Sequence, residues 1–344
     1  MMTGVAIVGA GHWGPHLIRN FSSLHGSQAL WVIEKDERRR KLIGERFPGV
    51  QISDEISDAL SDDRVDAIVI ATPTSTHAPL VRESLEADKH VLVEKPLTAD
   101  LGSAVELSQL AERKGLVLMV GHVFLFNAAV NSAKAYIDGG SLGDIRYLSM
   151  VRTNLGPVRY DVNAAWDLAA HDISIANYWL GGTPSWVSAL GGSWVNEDIE
   201  DAVFITLKYP TGVLVHIEAS WMNPSKRRLI SVVGSEKMLT VDDMDIMEPL
   251  RLYDRCIEED TSDRMSDTFA GFRAQIREGQ VLIPNITAGE PLRVECEEFL
   301  ARIRGASSSV VSDGWAGAAV VGVLSAADAS MSRGGQLTEV APTR

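Results

Sequence analysis

The sequence predicts an α/β protein of two domains: a doubly wound parallel sheet, then an α+β domain with an open, mostly antiparallel sheet. Three observations lead there. Over 1–122, short Val/Ile/Leu runs alternate with amphipathic stretches; the cluster "GAGHWG" (9–14) sits where the first run gives way to the first such stretch; and beyond 122 apolar residues recur at every second position. A chain of 344 residues is long for one core and suits two domains, 1–122 and 123–344.

The elements follow in order. The run "VAIV" closing at Gly9 reads as the first strand, and 13–24 as an amphipathic helix. "ALWVIE" (29–34) is a second buried strand, and "DERRRKLIGERF" (36–47) a polar-faced helix. "DAIVIATP" (66–73), "HVLVEKP" (90–96) and "LVLMVGH" (116–122) are further strands, separated by helical patterns over 76–87 and 99–114. Right-handed crossovers then wind the sheet in both directions. In that context Gly9 permits a tight turn, Gly11 lets a ligand approach the backbone, and Gly14 lets the helix pack closely on the strand. The helix start offers free N–H groups and a partial positive charge, which suits a pyrophosphate. This is the signature of a Rossmann dinucleotide-binding domain, with His12 and Trp13 of the same loop as further cofactor contacts. Glu34 ends the second strand, where a carboxylate accepts hydrogen bonds from a ribose diol and repels a 2′-phosphate, so NAD is expected. Lys35 and the arginines at 38–40 keep NADP possible.

Ligands of an open parallel sheet gather beyond the carboxyl ends of its strands. Thr72, Pro73, Thr74 and His77 follow one such end and suit phosphate and ribose. Glu94 and Lys95 follow the next, as further cofactor contacts, where burial of charge without a purpose is costly. His122 ends the strand after that, as a substrate contact or as a satisfied structural histidine.

After His122 a helix is expected over 127–137, then long strands at 145–155, 185–195, 201–210 and 212–222. "RRLISVVGSEKMLTVDD" and "GFRAQIREGQVLIP" read as hairpins turning at "GSE" and "EG". Trp186, Trp194, Phe204 and Trp221 read as packing residues. An open sheet of this size needs a cover on both faces, so a homodimer or homotetramer is expected. The helix "WDLAAHDISIANYWLGG" (166–182) carries Asp167 and His171 four residues apart, hence on one face. Such a carboxylate–imidazole pair works near neutral pH as base or acid. Nothing in the spacing of His122, Asp167 and His171 calls for a metal, and none is expected.

The formal charge of −14 argues against nucleic acid or an anionic membrane as partner. Cys256 and Cys296 have no metal-ligand spacing and read as reduced thiols. The start "MMTGVAIVG" has no basic region or cleavage site, and no apolar stretch reads as long enough to span a membrane, so a cytoplasmic protein is expected. The segments 242–249 and 256–267 read as solvated acidic loops.

Taken together, "GAGHWG", "ATPTSTH", "VEKP", "GH" and "WDLAAHD" resemble the glucose–fructose oxidoreductase/inositol dehydrogenase (Gfo/Idh/MocA) family over essentially the whole chain. The resemblance implies an oxidoreductase with a catalytic lysine in the E-K-P motif and an aspartate and histidine four apart, which fall on Lys95, Asp167 and His171. Within the family, "GHWGPHLIRNF", "NLGPVRYDVNAAWDLAAHD" and "EPLRVECEEFL" look most like bacterial nucleotide-sugar 3-dehydrogenases, which oxidise UDP-N-acetylglucosamine or its uronate at C3 with NAD. Asn154, Arg159, Asn163 and His171 are then the candidate substrate contacts, Arg159 facing a diphosphate, with Lys226 and Arg227 as weaker phosphate candidates. An NADP-dependent 3-ketosugar reductase and an inositol or free-sugar dehydrogenase are the alternatives. Leu125 and Ala128 stand where such enzymes often have arginine and proline, and "ECEEF" (295–299) where they tend to have "ECLHF"; both departures bear on the substrate. The choice between Lys95 and His171 as principal base stays open.

Overall fold

The computed structural model describes residues 2–257, 276–287 and 289–344, which form two compact units. The first comprises Met1–Phe126, Gly289–Ser325 and Pro342–Arg344; the second comprises Asn127–Ala288 and Ala326–Ala341. The chain passes from the first to the second after Phe126, returns at Gly289, crosses again at Ala326 and ends in the first from Pro342.

The first unit is built on β1 (Thr3–Val8), β2 (Ser27–Ile33), β3 (Gln51–Ser53), β4 (Ala67–Ile70), β5 (His90–Glu94) and β6 (Leu118–Gly121). All neighbours pair in parallel, in the order β3-β2-β1-β4-β5-β6. Strands β1 and β4 are buried along their whole length, as uninterrupted apolar runs require between two helical layers. Helices α1 (Gly14–Ser23), α2 (Glu37–Arg46), α3 (Ile56–Leu60), α4 (His77–Glu86) and α5 (Leu101–Lys114) alternate with the strands. Their ends have local causes. Asp36 caps α2 through a 2.9 Å bond from Arg39 N, Asp100 caps α5 through a 2.8 Å bond from Ser103 N, and Gly115 closes α5 at φ 65°. The strand order reverses between β1 and β4, which is where an open sheet of this kind takes its ligand. The short elements β3 and α3 carry no strong periodicity, and the sequence did not predict them.

In the second unit α6 (Ala128–Asp138) leads into β7 (Ile145–Leu155), a π turn (Ala165–Ala169) and α7 (Ala170–Leu180). Strands β8 (Trp186–Gly192), β9 (Ala202–Lys208), β10 (Leu214–Ser220), β11 (Met222–Gly234), β12 (Met238–Asp242) and β13 (Leu250–Tyr253) follow, then the short pieces β14 (Cys256–Ile257), β15 (Ile276–Arg277), β16 (Val281–Leu282) and β17 (Thr338–Glu339). Nine of them form one sheet, β16-β13-β12-β11-β7-β10-β9-β8-β17, antiparallel except for the parallel pair β10–β7. Its inner face is apolar: Leu148, Met150, Val187, Ile205, Val215 and Ile217 are at most 1% exposed. Helix α7 is tied to β7 by a buried bidentate pair, Arg152 Nε and Nη2 to Asp172 at 2.7 and 3.0 Å.

Four expectations are corrected. Trp186, Trp194 and Phe204 are 37–67% exposed rather than packed within the chain, and of that group only Trp221 is buried, at 1%. Trp186 and Phe204 stand on the outer sheet face with Tyr147, Leu190 and Leu214, because period-2 alternation leaves one face uncovered. The hairpin read at 271–284 does not form among the described residues: β15 pairs with β14 and β16 with β13. Residues 258–275, which hold its first strand and most of the loop read at 256–267, lie outside the described residues. The helix at 166–182 opens with a π turn, whose wider winding inserts an extra residue. Finally, among the described residues one helix is long and apolar enough to cross a membrane, α9 (Gly314–Met331), which follows α8 (Pro291–Ile303). It is buried in the protein, with Ala318, Val321, Val323, Leu324 and Ala327 at 0% exposure.

Candidate active site

The loop after β1 is shaped by its glycines. Gly9 has φ +97°, and a Cβ there would meet Ala71 O at 2.5 Å, so β1 and β4 approach as only glycine allows. At Gly14 a Cβ would fall 2.3 Å from Gly9 O, which locks the first turn of α1 onto the loop. Gly11 is different: a Cβ there meets no atom within 4 Å. Its missing side chain leaves room for a ligand rather than for the protein. Among the described residues the N–H groups of Gly11, His12 and Trp13 have no acceptor, and α1 begins without a side-chain cap. Such a cradle fits the pyrophosphate of a dinucleotide. His12 and Trp13 are exposed beside it, their rings edge to face at 5.4 Å.

Glu34 stands where a ribose acceptor belongs, and its carboxylate also braces the loop. Its Oε2 accepts from Ala10 N at 2.7 Å and its Oε1 from Asp36 N at 2.9 Å. Arg39 Nη1 lies 3.8 Å from Oε2, and Arg40 Nη1 donates to the Glu34 and Lys35 carbonyls at 2.8 Å each. After β4, Thr76 Oγ1 donates to Thr72 Oγ1 at 2.7 Å and Thr74 is buried, while Pro73 is exposed. His77, 1% exposed, bridges two strand ends, with Nδ1 2.8 Å from Pro96 O and Nε2 2.9 Å from Thr72 O. That use of both ring nitrogens makes it a brace of the cofactor loops.

The carboxyl end of β5 carries Glu94 and Lys95 and pairs with the end of β6, Glu94 opposite Gly121. The Glu94 carboxylate lies against Gly121, where a Cβ would be 3.1 Å from Oε2. Burial pushes its pKa up to about 7, against the opposing pull of the Lys95 ammonium. His122 is 1% exposed, and among the described residues neither ring nitrogen has a hydrogen-bond partner. Burial, and then the charge of Lys95, lower its pKa to about 3, so it is a neutral imidazole at physiological pH.

In the second unit Asp167 lies in the π turn and His171 in the first turn of α7. Asp167 Oδ1 accepts from Arg159 Nη1 at 3.2 Å and Oδ2 from Trp221 Nε1 at 3.3 Å. Arg159 also forms a bidentate pair with Asp161, at 2.9 and 2.6 Å. The guanidinium expected on a diphosphate is therefore engaged with two carboxylates. Asn154 Nδ2 donates to Gly156 O at 2.6 Å, and Asn163 Nδ2 to Glu200 and Asp328 at 3.0 and 3.1 Å, so both asparagines hold the loop that leads to Asp167. Lys226 and Arg227 are exposed on β11. Sequence reasoning missed two residues of these sites, the Trp221 indole on Asp167 and the buried Glu295 on α8, described below. Tryptophan on a strand reads as packing, and the glutamate lies in a helix of mixed polarity.

A glycine cradle at the switch point of a 3-2-1-4-5-6 parallel sheet, with charged residues at the next strand end, defines a dinucleotide-dependent enzyme. The family described as "Oxidoreductase family, NAD-binding Rossmann fold" matches residues 3–122, and the Gfo/Idh/MocA C-terminal domain matches 130–240. UDP-N-acetylglucosamine 3-dehydrogenase of Acidithiobacillus ferrooxidans is 30% identical over 74% of this chain and 77% of its own. The NAD-dependent scyllo-inositol 2-dehydrogenase of Bacillus subtilis is 28% identical over 67% and 71%. Among solved structures, GenD2 from gentamicin A biosynthesis, in complex with NAD, superposes with a TM-score of 0.82 at 24% identity, covering 99% of this chain and 97% of that one. The chain belongs to the Gfo/Idh/MocA family of oxidoreductases, and residues 3–122 match its NAD-binding Rossmann fold.

Proposed function

We propose that this enzyme oxidises a secondary hydroxyl of a nucleotide-linked sugar, at C3 of a UDP-N-acetylhexosamine or its uronate. The placement of Lys95 carries the chemistry: it is a charged group at the carboxyl end of β5, two strands over from β1, whose end bears the glycine cradle. The similarity to a UDP-N-acetylglucosamine 3-dehydrogenase supports the substrate, and at 30% it stands slightly above the 28% to the inositol enzyme.

NAD, when bound, accepts the hydride of the oxidised carbon. The cradle of Gly9, Gly11 and Gly14, with His12, Trp13, Glu34, Thr72, Pro73 and Thr74, orients it, and His77 braces the loops beneath. Lys95 donates to the substrate oxygen and stabilises the charge that grows there as the proton departs. His171 takes that proton, so the alcohol loses H⁺ and H⁻ together and becomes a ketone. Asp167, fixed by Arg159 and Trp221, favours the imidazolium that results. With Arg159 so engaged, the exposed Lys226 and Arg227 are left to meet a diphosphate. The apolar outer sheet face, with Tyr147, Trp186, Phe204 and Leu214, pairs with a second copy in a cytoplasmic homodimer or homotetramer.

The test is a set of initial rates, read as absorbance at 340 nm, for NAD and NADP against UDP-N-acetylglucosamine, its uronate, dTDP-sugars, free glucose and myo-inositol. Reduction of NAD by a UDP-sugar, with inositol at least a hundredfold slower in kcat/KM, is the expected result. Turnover of inositol with silence on every nucleotide sugar would leave the oxidoreductase and discard the substrate.

A further inference from the structure

Three buried titratable side chains of the first unit have no part in the chemistry above: Glu295, Cys296 and His122. Glu295 and Cys296 lie on α8, at 1% and 0% exposure. Helix α8 packs on the 3-10 turn Val123–Phe126, which directly follows Gly121 and His122. The Glu94 carboxylate lies against that same Gly121. The Glu295 Oε1 is buried and has no hydrogen-bond donor among the described residues. An ionised carboxylate there would be costly, and a second one nearby more so.

We propose that Glu94 and Glu295 form a carboxyl pair that holds one proton behind Lys95 at neutral pH, with Glu295 the positioning residue that keeps the proton and Glu94 the anion that faces the lysine. This rests on Lys95 being the group that meets the substrate oxygen.

The electrostatics agree with the placement. Burial raises Glu295 well above the ordinary carboxylate range and the Glu94 charge raises it further, while Glu94 reaches only about 7 because Lys95 opposes the burial. Lys95 at the end of β5 acts on Glu94 and on neutral His122, and the Cys296 thiol on α8 feels Glu295, Glu94, Glu290 and Glu297. Burial, then Glu295 and Glu94, raise the Cys296 thiol, so it stays protonated. Glu290 is taken up by Arg19 and Asn20 of α1. An ionised Glu94 holds the Lys95 ammonium in place by its charge, and protonating Glu94 withdraws that hold. Activity should therefore fall on the acid side with a midpoint near the Glu94 value of about 7.

The test compares wild type, Glu295→Gln and Glu94→Gln in two readouts. The first is kcat/KM against pH with NAD and UDP-N-acetylglucosamine. Protonated Glu295 and glutamine are both neutral, so Glu295→Gln should leave the acid limb in place. Glu94→Gln, which denies Lys95 its anion at every pH, should lower kcat/KM at pH 8 about tenfold or more and keep only the acid fall that His171 sets. The second readout is the pH-difference infrared spectrum of the protonated carboxyl stretch, which needs no turnover. One buried carboxyl band should persist to pH 8 in wild type and be lost in Glu295→Gln. A second should disappear near pH 7 and be absent from Glu94→Gln. A displaced acid limb in Glu295→Gln, or infrared spectra identical to wild type in either variant, would overturn the pair. A protein that turns over no sugar would refute the proposed function, and the infrared readout would still decide the pair.

Discussion

Replacing Gly11 by alanine separates a glycine kept for a ligand from one kept for the fold. At Gly14 an added methyl would lie 2.3 Å from Gly9 O, about 1 Å inside ordinary contact with a backbone atom that cannot move aside. Gly14→Ala should thus lose about 1–3 kcal/mol of stability and several degrees of Tm. At Gly11 the same methyl meets nothing within 4 Å, and φ lies outside the left-handed region, so Gly11→Ala should keep its Tm within about 1 °C. The methyl should instead occupy the place of the pyrophosphate and break one or two charge-assisted N–H bonds of about 1.5–3 kcal/mol each. NAD binding should weaken about ten- to a hundredfold or more. Thermal melting and NAD titration by tryptophan fluorescence read the two effects separately. Wild-type NAD affinity in Gly11→Ala would refute the cradle, and a large fall in its Tm would show that the position serves the fold.

Three further expectations follow from the same geometry. Lys95→Met should leave NAD affinity within about twofold of wild type while lowering kcat about a hundredfold or more, as measured by steady-state rates and NAD titration. Asp172→Ala takes the bidentate carboxylate from the buried guanidinium of Arg152 and should cost about 3–5 kcal/mol, seen in urea unfolding, with the double change Arg152→Met/Asp172→Leu recovering much of the loss. The raised pKa of Glu94 means that the folded protein binds more protons than the unfolded chain between about 4.5 and 7. Its contribution to stability is present at the acid end of that window and lost as pH rises through 7. The Tm difference between wild type and Glu94→Gln should therefore shift against wild type from pH 5 to pH 8.

The parallel sheet was legible because its strands are apolar on both faces and punctuated by glycine. Strand β7, expected at 145–155, runs over Ile145–Leu155. β3 and α3 were not legible, being three and five residues long, too short for a period to show. The pairing of β15 with β14 depends on partners distant in sequence, which local alternation does not encode. α9 illustrates the same limit, since its composition is that of a spanning helix and only its burial marks it as core. In the site, the cofactor loop was readable from spacing. The engagement of Arg159 with Asp161 and Asp167 was not, because an arginine in a loop carries no mark of its partner. The same holds for Glu295, whose burial comes from the packing of α8 rather than from any pattern within it.

The central claim is hydride transfer from C3 of a nucleotide-linked sugar to NAD. Incubating the enzyme with NAD and UDP-N-acetylglucosamine deuterated at C3, then weighing the reduced cofactor by mass spectrometry, tests it directly. The reduced NAD should be heavier by one mass unit in each molecule formed. Reduced NAD of ordinary mass, formed at a comparable rate, would place the oxidised carbon elsewhere and contradict it.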